Sequence, residues 1–196
     1  MDKKLVFVHI PKSAGSSIVL WARQNKINYF VNAAHRSLSD FKKLYPTVDI
    51  YKSFAVTRNT YYRMLSLYNF AKNKHFNVLK QAEVGKRILL QDEISLIKKK
   101  IAAWNKGIVY YLDFTLNQNF EHHNQLRYIQ DVDFILTHEN LQADFIKVQE
   151  LTKCYAPLTQ RVHTYKEKTV IDMSSDYVSC IKRHFAEELD FFQYTV

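Results

Sequence analysis

The chain has 196 residues, 47% of them hydrophobic and 24% charged. That balance excludes a disordered or low-complexity chain, and the length supports one domain over residues 1–196 with a substantial core. The net charge of +9 favours anionic partners such as nucleotides, acidic glycans, nucleic acid or lipid head groups, without choosing among them. Lys98, Lys99 and Lys100 can equally be a solvated helix face.

Cys154 and Cys180 form no framework of spaced pairs and lack metal-ligand spacing. Two reduced thiols in a cytoplasmic protein are expected, with one disulfide left open. The charged stretch Met1 to Lys4 is followed by only six apolar residues before Pro11, too few for a signal-peptide core or a membrane span.

Leu5 to Ile10 is a nearly continuous apolar run, as a buried parallel strand reads. A polar loop, Lys12 to Ser16, leads to a helix marked by Ile18, Leu20, Trp21 and Ala22. Asn28 to Val31 reads as a short strand, and Ser39 to Leu44 as a short helix capped by Ser37 or Ser39. Tyr51 to Val56 is a third strand, followed by a helix carrying Tyr62, Leu65 and Tyr68. Phe76 to Lys106 is helical, with Ile94, Ile97, Ile101 and Trp104 as its stripe. Gln125 to Gln130 is a loop or short helix, and Val132 to Thr137 a strand before a helix from Leu141 to Leu151. Arg161 to Asp172 reads as a loop, and Ser174 or Ser175 caps a last helix to about Leu189. Strands alternating with helices predict an α/β fold with a central parallel sheet flanked by helices.

Two segments between a strand and a helix are suited to anions. In the first, His9-Ile10-Pro11-Lys12-Ser13-Ala14-Gly15-Ser16-Ser17, a helix N-terminus offers backbone N–H groups and a favourable dipole. Gly15 allows close approach, the serines add hydroxyls and Lys12 a mobile charge. A Walker loop places its lysine after the glycines; here the order is reversed. The segment resembles the 5′-phosphosulfate loop of sulfotransferases that use 3′-phosphoadenosine 5′-phosphosulfate (PAPS). Ser13, Ala14 and Ser16 stand where the carbohydrate branch often has Thr, Gly and Thr. An alanine at position 14 predicts a loop backbone that avoids positive φ there.

The second segment, Thr57 to Tyr68, resembles the family's 3′-phosphate motif through Arg58, Asn59, Tyr61, Arg63, Ser66 and Tyr68, with Thr60 replacing the usual proline and able to cap the helix. A guanidinium from Arg58 and a hydroxyl from Ser66 could converge on one phosphate. Looser matches lie at His122 to Gln125, at Glu139-Asn140-Leu141 with Asp144 and Phe145, and at Asp190 to Tyr194, where Gln193 replaces a glycine. Glu139 there is expected as a buried partner of loop groups.

The resemblance implies a P-loop-like sulfotransferase fold, PAPS as co-substrate, no metal, and a hydroxyl acceptor of carbohydrate type. Lys12 would stabilise the leaving phosphate oxygen, while Ser13, Ala14, Gly15, Ser16 and Ser17 hold the 5′-phosphate, and Arg58 with Ser66 the 3′-phosphate. The segment His35 to Phe41 resembles the one supplying a histidine base in some glycan sulfotransferases, making His35 the candidate base. Glu139, His122 and His123 are the alternatives. The rivals are a nucleotide kinase-like enzyme and a non-enzymatic polyanion-binding module; no specific nucleic acid is implied.

Overall fold

The computed structural model describes residues 3–84, 86, 88–158 and 173–196, without the side chains of 72 and 73. The loop expected over residues 161–172 lies outside the described residues. The described residues form two compact units, one within residues 1–59 and 124–164, the other within 60–123 and 165–196.

The first unit is built on four parallel strands, β1 (Lys4–Val8), β2 (Phe30–Asn32), β3 (Ile50–Thr57) and β4 (Phe134–Thr137), in the order β2-β1-β3-β4. Its helices are α1 (Gly15–Gln24), α2 (Leu38–Leu44), α6 (Leu126–Ile129), α7 (Leu141–Asp144) and α8 (Ile146–Thr152). β1 is buried on both faces, as its unbroken apolar run requires. Leu5 and Phe7 pack with Ile18, Trp21, Phe54 and Phe145, while Val6 and Val8 pack with Leu38, Phe41, Ala55 and Tyr128. The chain leaves β1 to one side for β2 and returns to the other for β3. The carboxyl ends of β1 and β3 therefore flank the switch point at which open parallel sheets bind ligands.

The expected helix over Leu141 to Leu151 is broken at Phe145 into α7 and α8. Ser37, not Ser39, caps α2, its hydroxyl accepting from Asp40 N–H at 3.1 Å. Arg127 on α6 then grips Asp40 at 2.7 Å and holds its carboxyl below the usual carboxylate range.

The second unit is helical: α3 (Thr60–Glu83), α4 (Gln91–Asn105), α5 (Ile108–Asn119) and α9 (Ser175–Phe192). The pattern expected to run as one helix from Phe76 to Lys106 is two helices, because the chain is extended at Leu90, where the Glu93 carboxylate accepts the Leu90 N–H and starts α4. Gly107, with φ 106°, separates α4 from α5, an element the sequence reading did not assign. Tyr61, Met64, Tyr68, Tyr111, Leu112, Tyr177, Ile181 and Phe185 form this unit's core. Ser174 caps α9, and Gln193 ends it in the left-handed conformation that a C-terminal glycine favours. Both cysteines are free thiols. No helix among the described residues is long and apolar enough to cross a membrane.

Candidate functional site

Each strand of the sheet delivers one candidate segment at its carboxyl end: residues 9–14 after β1, 33–36 after β2, Arg58 and Asn59 after β3, and His138 and Glu139 after β4.

The loop after β1 folds tightly. Lys12 and Ala14 both adopt positive φ, 70° and 59°. The expectation that Ala14 would avoid that region is thus wrong. The left-handed turn at residue 14 directs the chain into α1, and the Ala14 carbonyl accepts the first helical bonds from Ser17 and Ile18. Between the left-handed Lys12 and Ala14, the Ser13 N–H donates to the Ile10 carbonyl at 3.4 Å and closes the turn. Ser13 is fully buried, and its Oγ has no hydrogen-bond partner among the described residues. Lys12, Ser16 and Ser17 are half-buried around it.

A left-handed alanine costs about 1–2 kcal/mol that glycine avoids, against about 0.5–1 kcal/mol of extra backbone entropy for glycine. Ala14→Gly should therefore stabilise the protein by about 0.5–1 kcal/mol in urea unfolding. A loss of stability would show that the alanine methyl is held by packing instead.

Arg58 joins the two motifs. Its guanidinium donates to the Lys12 carbonyl at 3.2 Å, 46 residues back along the chain. Gln125 clamps the Arg58 peptide from both sides: its Oε1 accepts Arg58 N–H and its Nε2 donates to Arg58 O, each at 2.9 Å. Glu139 accepts the next N–H, that of Asn59, at 2.8 Å. Glu139 is the expected partner of loop groups, but it is exposed rather than buried. Ser66 is half-buried on α3 of the second unit.

His35 arrives on a left-handed pair, Ala34 at φ 48° and His35 at φ 65°, between β2 and α2. The Ala34 N–H donates to Asn32 Oδ1 at 3.0 Å and tightens that turn. His35 Nδ1 lies 3.0 Å from the His9 carbonyl. A carbonyl only accepts, so Nδ1 carries the proton and Nε2 is the basic nitrogen. The sequence assigned His9 no role, yet its ring lies 4.3 Å from that of His35. Burial first, then the charges of His35 and Lys12, push the His9 pKa down to about 3, so it is neutral near pH 7.

The other histidine candidates differ. His123 is buried in the second unit, and burial with the charges of Arg63, His122 and Lys100 pushes its pKa down to about 3. Asp113, Cys180 and His184 place possible metal-ligand atoms within 4.8 Å of one another. Asp113 Oδ1 already serves Arg183 at 2.5 Å, His184 at 2.7 Å and the Cys180 thiol at 3.5 Å. Burial and that carboxylate push the thiol up to about 11, which describes a satisfied polar network. A hollow of about 610 Å³ opens beside the amino end of β3, lined by Tyr45, Ile50, Asp131 and Asp133, away from the strand ends that carry the candidate loops.

No protein-family model matches the chain, and neither a curated protein nor a solved structure matches it.

Proposed function

We propose that the protein is a PAPS-dependent sulfotransferase with a P-loop-like sulfotransferase fold, acting on a hydroxyl of a carbohydrate. The observation that carries this reading is the convergence, at one end of the parallel sheet, of the tight Lys12–Ser17 loop and Arg58, whose guanidinium reaches the Lys12 carbonyl. His35 stands beside His9, the residue at the entrance to that loop.

In the proposed reaction the acceptor oxygen attacks sulfur in line. A new O–S bond forms as the bond from sulfur to the 5′-phosphate oxygen breaks, and its electron pair leaves on that oxygen. The acceptor proton passes to His35 Nε2. Such a transfer depends chiefly on positioning and on stabilising charge that moves to the leaving and equatorial oxygens. Lys12 and the N–H groups at the start of α1 supply that stabilisation on the donor side. No metal is required.

The direct test is calorimetric titration of 3′-phosphoadenosine 5′-phosphate against AMP, followed by transfer of labelled sulfate from PAPS to a panel of glycans. Arg58→Ala should weaken the bisphosphate by about 10–100-fold more than AMP, since a charged hydrogen bond is worth about 1.5–3 kcal/mol. Arg58 also braces the Lys12 carbonyl, so some loss is expected for both ligands, and the difference between them is the informative quantity. Equal losses would remove the 3′-phosphate assignment. Magnesium-dependent use of ATP would favour a kinase, and salt-sensitive binding to polyanions without nucleotide preference would favour a binding module.

A further inference from the structure

His9 follows β1 and precedes the anion loop, and three contacts converge on it. Its imidazole occupies the space a side chain at position 15 would need: a Cβ on Gly15 would fall 1.8 Å from His9 Nε2 and 1.9 Å from Cδ2. The same ring lies 4.3 Å from the His35 ring at an interplanar angle of 47°. Behind it, Phe7 stacks at 5.4 Å and 17°, fixing the ring from the core side. The His9 carbonyl meanwhile accepts the proton of His35 Nδ1. One residue thus touches both the first residue of α1 and the imidazole 26 positions further along the chain.

We propose that His9 is a positioning residue: its imidazole is a wedge between Gly15 and His35 that sets the His35 ring, and hence Nε2, relative to the anion loop. The catalytic consequence rests on the sulfotransferase reading; the wedge contact does not. Gly15 is explained on the same terms, since no other residue leaves room for the wedge. Burial keeps His9 neutral, so it does not repel Lys12 or compete with His35 for the acceptor proton. Left-handed backbone at Ala34 and His35 is strain of the kind that persists where the surroundings over-determine a conformation, and the His9 ring and carbonyl provide that constraint.

The test uses the full chain, His9→Ala, Gly15→Ala and the double variant, with two readouts that need no ligand. Two-bond proton–nitrogen spectra report which His35 nitrogen is protonated. The wild type should show the Nδ1–H form; His9→Ala and Gly15→Ala should each turn it into a tautomer mixture, because without the wedge in place the His35 ring turns away from the residue 9 carbonyl, which both variants keep, and water favours the other form. An unchanged His35 signal in both variants would overturn the proposal. The second readout is a stability cycle. Gly15→Ala should destabilise the wild type but be tolerated in His9→Ala, where the new methyl fills the vacated space, and additive effects would overturn the wedge contact. If His9→Ala folds poorly, Gly15→Ala reads the same contact from the opposite side, the far end of a side chain being able to shift. With PAPS, His9→Ala should lower kcat by about 10²-fold with donor KM little changed, as expected for a misplaced base. Failure to bind 3′-phosphoadenosine 5′-phosphate would remove the sulfotransferase reading, while the spectra and the cycle would still decide the role of His9.

Discussion

Arg63→Ala should destabilise the protein by about 3–5 kcal/mol, the loss typical of breaking a buried ion pair by removing one partner. Arg63 is fully buried, and Glu188 is 1% exposed. The Arg63 guanidinium lies 3.4 Å from Glu188 Oε1, donates to the His123 carbonyl, and sits 5.9 Å from the centre of the Phe185 ring. Thr60 donates its hydroxyl to the same carboxylate oxygen. This network binds the start of α3 to α9 and to the turn at His123, all within the second unit. Removing the guanidinium takes the Arg63 cation away from a carboxylate in the core. Glu188→Ala should cost a comparable amount for the mirror-image reason. Because desolvation opposes the pair itself, the double replacement Arg63→Met with Glu188→Leu should cost much less than the sum of the two single losses. A domain is stable by only about 5–15 kcal/mol, so either single variant should show a large drop in urea midpoint. A loss below about 1 kcal/mol for Arg63→Ala would mean that water reaches the guanidinium in solution.

The parts legible in the sequence are those whose physics is local. The apolar run from Leu5 needed two covered faces, and Leu5 to Val8 received them in β1, an inner strand of the sheet. The polar stretches after the first and third strands had to be loops, and the parallel sheet gathers them at one end. Thr57 to Tyr68 revealed that Arg58 follows a strand, but not that Arg63, five residues later, is buried. The missing signal for that was Glu188. Tyr177, Ile181 and Phe185 place it on the apolar stripe of α9, where a carboxylate demands a buried cation. Gln125 and His9 lie in segments the sequence singles out, but their contacts were illegible for a different reason. Their partners lie 67 and 26 residues away, and nothing in a glutamine or a histidine reveals which distant peptide or ring it will meet. Ala14 was misjudged because single-residue sterics describe a preference, whereas loop closure between β1 and α1 sets the conformation and imposes its cost.

Replacing His35 by alanine should leave binding of 3′-phosphoadenosine 5′-phosphate intact and reduce sulfuryl transfer by about 10²–10⁴-fold, the range for loss of a general base. His35 Nδ1 is held to the His9 carbonyl, which assigns the proton to Nδ1 and presents Nε2 as acceptor. Glu139, the competing carboxylate, already receives the Asn59 N–H and serves to shape the Arg58 turn. His123 is buried, so it is poorly placed to meet an acceptor arriving from solvent. The effect of His35→Ala should fall on kcat rather than on donor KM, because the base acts only as the acceptor proton leaves. An imidazole is inactive as a base once protonated, so the wild-type rate should fall in acid, and that limb of the pH profile should vanish in the variant. Imidazole added to His35→Ala should restore part of the rate by entering the vacated space. His35→Gln should not restore it, since an amide fills the site without accepting a proton at this pH. Near-normal turnover in His35→Ala would exclude the residue and make Glu139 the next to replace, whereas joint loss of donor binding and folding would assign His35 to the architecture of the turn after β2.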